Sequence, residues 1–200
     1  MLDPAAALAL AEQVSETART VGFETALIGA TALAVHRYTR GTEDIDLAAH
    51  INPFVQLQAL ERALADQGLR TLLRLPDDDD PLGGVLVVWA SGDDDGEPAN
   101  VVEVVNFLNP GRTGRTPAAA AIARSEALPD TSLRCVGIAD LVALKLYAGG
   151  LSDHADIVQL LARNPEADLA FIRETAEPFD RGGHLDLLLQ QAEMTRSERL

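Results

Sequence analysis

The chain has 200 residues, 47% of them hydrophobic and 24% charged, which suits one globular core with a helical appendage; at 4% aromatics, Leu, Ala and Val must fill that core. The net charge of −15 argues against an extended nucleic-acid surface, and subtracting the eight acids of "DDDD" (77–80) and "DDDGE" (93–97) still leaves −7. The single cysteine, Cys135, excludes an internal disulfide, no apolar run is long enough to span a membrane, and no basic region precedes the first apolar stretch, so a cytoplasmic protein is expected.

Residues 4–20, "PAAALALAEQVSETART", have helical periodicity with Pro4 in the first turn. "ETALIGA" predicts a short strand ending at Gly29, "TALAVHRY" a helix and "DIDLAAH" a second strand. "PFVQLQALERALADQG" is amphipathic at helical spacing and stops at Gly68. Three strand-like runs follow, "LRTLLRL", "GVLVVWA" and "NVVEVVNFL". The acidic runs between them lack the glycine and carboxylate spacing of a calcium loop and read as solvated loop tips. From about residue 117 helices dominate: "PAAAAIARSEAL", then a brief strand "SLRCVG", then "IADLVALKLYAGG", "SDHADIVQLLARN", "ADLAFIRETAEPF" and "LDLLLQQAEM". Strands early and helices late predict an α+β fold, with a core over 1–137 and a helical C-terminal segment over 138–200 packed on it.

Within "TEDIDLAAH", Asp44 and Asp46 alternate with Ile45 and Leu47. In a strand the two carboxylates share one face, about 7 Å apart at Cα, and the apolar pair faces the core. Two such carboxylates can grip a small oxygen-seeking cation such as Mg²⁺, and a pair of such ions stabilises the attacking and leaving oxygens of nucleotidyl transfer. Glu103 is the one acid inside "NVVEVVNFL". It has a use there if its strand lies beside Asp44 and Asp46, where a cation turns three repelling charges into a cage. The alternative for all three is a solvated strand face.

The run "LIGATAL" joins a strand to a helix through Gly29, a turn whose N–H groups suit a phosphate. Thr31 there serves either as a phosphate donor or as an ordinary helix cap. Taken whole, "LIGATALAVHRYTRGTEDIDL" resembles the signature of the DNA polymerase β-like nucleotidyltransferase superfamily. That signature is an apolar residue, Gly, then Gly or Ser, a helical spacer and an Asp-x-Asp strand. With "DLVALKLYAGGLSDHADIVQLL" far downstream, the chain is more narrowly similar to the abortive-infection toxin branch of AbiEii type.

The resemblance implies a nucleotidyltransferase fold with a small mixed sheet flanked by helices, and transfer of a nucleotide from an NTP by a two-metal Mg²⁺ mechanism. Asp44, Asp46 and Glu103 would be the metal-binding carboxylates, and Gly29 and Ala30 the turn that meets the nucleotide phosphates. Ala30 stands where the superfamily usually has Gly or Ser, and Glu103 where Asp is commoner.

Of the 16 basic residues 15 are arginine, and the exception, Lys145, sits on a helix apolar nearly all round. A compact ammonium reaches a phosphate where a guanidinium does not fit. The resemblance assigns such a lysine to the triphosphate, and Lys145→Ala is then expected to weaken NTP binding with the fold intact. The alternative is a snorkelling surface lysine. Asp153 and Asp156 read as helix-capping acids behind Ser152, or as partners that orient Lys145. Arg37 and Arg40 are weaker candidates for phosphate contact, and the four histidines show no metal-ligand spacing.

Three functions are compatible with these residues. The first is an Mg²⁺-dependent nucleotidyltransferase of toxin–antitoxin or phage-defence type, acting on an RNA or protein acceptor and controlled by an antitoxin partner. The second is an aminoglycoside-type nucleotidyltransferase, for whose polycationic substrate an acidic protein is apt. The third is a catalytically silent binding module on the same fold, for which Ala30 and Glu103 speak.

Overall fold

A computed structural model describes residues 3–78, 80–90 and 100–198. The acidic run at 93–97 lies outside the described residues, as does Asp79 of the other run. In that other run the Asp77 and Asp80 carboxylates accept from the N–H groups of Asp80 and Leu82, closing a turn on itself.

Helix α1 (Pro4–Thr20) begins where the Asp3 carboxylate accepts from the N–H groups of Ala5 and Ala6, with Pro4 in the first turn. Strand β1 (Ala26–Leu27) leads through the Ile28–Gly29 turn into α2 (Gly29–Val35) and then β2 (Asp44–Ala49). The next helix departs from its sequence-based expectation. A π-helical turn, Pro53–Leu57, capped by the Asn52 side chain, precedes α3 (Gln58–Asp66). Strands β3 (Arg70–Arg74), β4 (Val85–Trp89) and β5 (Val101–Asn106) follow. Helix α4 (Ala118–Arg124) ends at Ser125, whose backbone turns extended, so that part of the predicted helix becomes β6 (Glu126–Ala127), paired with β7 (Arg134–Cys135). Four helices complete the chain: α5 (Ile138–Ala148), α6 (Leu151–Arg163), α7 (Leu169–Ala176) and α8 (Leu185–Ser197).

The α+β expectation holds. The strands form one mixed seven-stranded sheet in the order β3-β4-β5-β2-β1-β7-β6. β2 runs parallel to β5 and β1 parallel to β7, and the other pairs are antiparallel. One face of the central strands is closed by α1, because Ile45, Leu47, Val102 and Val104 share a buried core with Ala7, Leu10 and Val14. The alternation that buries those residues forces their neighbours to the other face. Among the described residues no helix is long and apolar enough to cross a membrane.

Candidate active site

The register of β2 and β5 sets Asp46 opposite Glu103. Opposed residues share a face of a sheet, and Asp44 lies two positions from Asp46, so all three carboxylates leave the sheet on one side. One oxygen from each lies within 4.8 Å of the others. Ile45 and Leu47, only 4% and 0% exposed, face the core as their spacing predicts. Thr42 donates to Asp44 Oδ1 at 2.6 Å and fixes that carboxylate. Arg74, reached from β3 across β4, lies 3.8 Å from Glu103 Oε1.

The turn before the strand is bound to the same cluster. The Ile28 N–H donates to the Asp46 carbonyl at 3.0 Å. Gly29 then adopts φ +60°, and a Cβ on it would stand 1.8 Å from Asp46 Oδ2. Glycine is needed there twice over, for the left-handed backbone and for room beside the carboxylate. As the first helical residues, Gly29, Ala30 and Thr31 have N–H groups without intrahelical partners. Ala30 itself is buried, so its methyl sits in packing. No side chain caps α2, which removes the capping role for Thr31.

Lys145 is buried at 5% exposure, not a snorkelling surface residue. Its Nζ donates to Asp153 Oδ1 at 3.0 Å and to Asp156 Oδ2 at 2.7 Å. Asp153 also caps its helix, accepting from the Gly150 N–H at 3.2 Å. Asp156 is different: it lies past the first turn, is buried, and also meets Arg40 Nε at 3.3 Å. Its capping role therefore falls, and it serves instead as the shared anion of two cations. Arg37 points elsewhere, to Glu166.

A cleft with about 580 Å³ of empty space joins these groups, lined by Gly29, Arg40, Asp46, Lys145 and Asp153 and by an apolar wall that includes Phe107 and Leu144. Sequence reasoning missed Thr42, Arg74 and the double role of Asp156. Of these, only Thr42, two residues before Asp44, lay where local sequence pointed. His36, whose ring meets the Val136 carbonyl, and Cys135, whose thiol burial pushes up to about 12, have no part in the cluster.

The acids are under electrostatic stress. Burial, then the charges of Asp44 and Glu103, raise Asp46 from 3.8 to about 7, against the opposing pull of Lys145 and Arg40. Glu103 is also raised, by burial first and then by Asp44, with Arg74 opposing. A set of three carboxylates whose repulsion the neighbouring cations relieve only in part, with only oxygen donors, fits a hard divalent cation such as magnesium. The folded state holds the Asp46 proton more tightly than the unfolded chain, so this group's contribution is full below about pH 4 and is lost as pH rises through 7. Allowing for solvent screening, the loss is about 2 kcal/mol. In EDTA the melting temperature is expected to fall about 5 °C further between pH 5 and 8 than it does in Asp46→Asn. Adding Mg²⁺ at pH 8 should restore it in the wild type alone. Parallel pH profiles of the two proteins would refute the repulsion.

With the geometry in hand, the fold proves to be that of nucleotidyltransferase-like proteins. An antigenic nucleotidyltransferase-like protein from Paracoccidioides brasiliensis is similar over 98% of this chain and 91% of its own, with a TM-score of 0.61 and 14% identity. JHP933 from Helicobacter pylori, with a TM-score of 0.43, and ANT(2'')-Ia in complex with adenylyl-2''-tobramycin, also 0.43, are each 14% identical; they cover 100% and 96% of this chain and 96% and 98% of their own. No protein-family model matches the chain, and no curated protein sequence does.

Proposed function

We propose that the protein is a magnesium-dependent nucleotidyltransferase that moves a nucleoside monophosphate from an NTP to an acceptor hydroxyl, as a toxin or phage-defence enzyme of AbiEii type. The observation that carries this reading is the meeting of the Asp44, Asp46 and Glu103 oxygens within 4.8 Å of one another, on a cleft shared with Lys145. Nothing but a cation relieves such a trio at neutral pH without protonating it.

Asp44, Asp46 and Glu103 would hold the magnesium. When bound, it supplies the positive charge that stabilises the attacking and leaving oxygens. Lys145 and Arg40, positioned by Asp156, present cations to the triphosphate. The Gly29 turn keeps its backbone within reach of the phosphates and braces Asp46. The acceptor oxygen forms a bond to the α-phosphorus, the bond to the bridging oxygen breaks, and pyrophosphate leaves. The hydroxyl proton passes to a carboxylate of the cluster. Phe107 and Leu144 exclude water from the cleft and face the nucleoside.

The decisive experiment incubates the protein with each α-³²P-labelled NTP, Mg²⁺ and total cell RNA or lysate. Label should move to a macromolecule with the wild type and not with Asp46→Ala. The absence of both label transfer and any NTP-plus-Mg²⁺ thermal shift would point to a silent module and overturn the assignment.

A further inference from the structure

A second cleft, with about 430 Å³ of empty space, opens beside the first. Arg112, Arg115, Arg181, His50, Thr116 and Tyr147 line it, and Phe107 is common to both clefts. Among the described residues no Asp or Glu lines it, which is notable in a chain of net charge −15. Arg115 and Arg181 have no carboxylate partner among the described residues.

The cationic wall is built rather than incidental. The Arg181 guanidinium lies 5.3 Å from the centre of the Tyr147 ring. That ring is itself fixed, edge-on to Phe179 at 6.3 Å, tilted against Phe107 at 6.3 Å, and donating its hydroxyl to the Pro81 carbonyl at 3.3 Å. A stacked guanidinium loses little freedom when it meets a phosphate. The approach to Arg112 is ordered by Asn109, whose amide donates to the carbonyls of Asp77 and Asp80 and whose oxygen accepts from the Gly111 N–H.

We infer that this cleft binds the phosphates of a short single-stranded polynucleotide whose end enters the neighbouring cleft as the acceptor. The inference rests on the nucleotidyl-transfer reading for the word acceptor, though not for binding. Arginines spread around one cleft match successive phosphates of a strand better than one small anion. They repel an aminoglycoside, so the same wall speaks against that acceptor. Phe107 lines both clefts and so joins the strand's path to the carboxylate cleft. The acidity of the rest of the surface confines contact to a few nucleotides.

The test is fluorescence anisotropy with a 5′-labelled 12-nucleotide RNA, without NTP, comparing the wild type with Arg115→Ala/Arg181→Ala across salt concentrations. The double variant should bind at least tenfold more weakly. Its slope of log K against log salt should flatten by about 1.4, the value for two lost phosphate contacts on a single strand. Its melting temperature and its ATP affinity by calorimetry should match the wild type. Equal RNA affinity overturns the inference. So does a variant that loses calorimetric binding of inorganic pyrophosphate but keeps RNA, since the cleft would then be a small-anion site. Arginine-dependent RNA binding without label transfer would fell the nucleotidyl-transfer reading and leave the cleft assigned; transfer with arginine-independent RNA binding would do the reverse.

Discussion

Gly29→Ala is expected to lower nucleotidyl transfer by about a thousandfold or more while leaving the protein folded. Two separate effects act at this position. The left-handed backbone at φ +60° costs a side-chain-bearing residue about 1–2 kcal/mol, a modest loss of stability. The larger effect is steric, since the new Cβ would stand 1.8 Å from Asp46 Oδ2. The carboxylate is the far end of a side chain, so it swings away rather than unfolding the sheet. It then leaves the position where it meets Asp44 and Glu103. A misplacement near 1 Å already costs about a hundredfold in catalysis, and the loss of a cation ligand adds to that. Three readouts test this: single-turnover label transfer, melting temperature, and the Mg²⁺-dependent rise in melting temperature. Transfer and the Mg²⁺ response should both be lost in Gly29→Ala, with the melting temperature down by only about 2–8 °C. A variant that transfers label at the wild-type rate would show that Asp46 does not need the place glycine gives it.

How much of this was legible beforehand follows from which residues interact locally. Asp44 and Asp46 could be put on one face because a strand's period of two is a local property. Glu103 was conspicuous as the one acid in its apolar run. Its adjacency to Asp46 is a matter of topology: β3 and β4 intervene in sequence, and β5 inserts between β4 and β2. Nothing in alternation dictates that insertion; the superfamily resemblance supplied the expectation. Arg74 was out of reach for the same reason, since its approach to Glu103 needs the registers of two strand pairs. Two local readings failed where the segments were short or irregular. The two-residue strand Glu126–Ala127 is too brief to show a period, and Pro53–Leu57 closes a π-helical turn while keeping helix-like spacing. Asp156 had two readings, a helix-capping acid behind Ser152 or a partner that orients Lys145; the second holds, and local sequence did not choose between them because capping explains an acid there equally well. Its actual partners, Lys145 and Arg40, come from α5 and from the segment before β2.

Those partners change what Lys145→Ala should do. Taken as a phosphate ligand alone, the lysine could be removed with the fold intact. Its burial at 5%, between Asp153 and Asp156, makes that outcome untenable. Truncation leaves Asp156 buried with Arg40 as its remaining cation, 3.3 Å away and itself partly exposed. Breaking a buried pair by deleting one member costs about 3–5 kcal/mol, because the surviving charge has been stripped of water and of its counter-ion. A melting temperature lower by about 10 °C is therefore expected. Asp156→Asn in the same background separates structure from chemistry. It neutralises the stranded charge and should recover most of the lost stability, and it restores no cation to the triphosphate. The double variant should thus be stable and still bind ATP with Mg²⁺ at least tenfold more weakly than the wild type by calorimetry. Stability recovered together with normal ATP affinity would make Lys145 a structural counter-ion with no role at the phosphates. Unchanged stability in Lys145→Ala alone would mean that Arg40 or water already suffices for Asp156, and that the buried triad is not what holds α5 against α6.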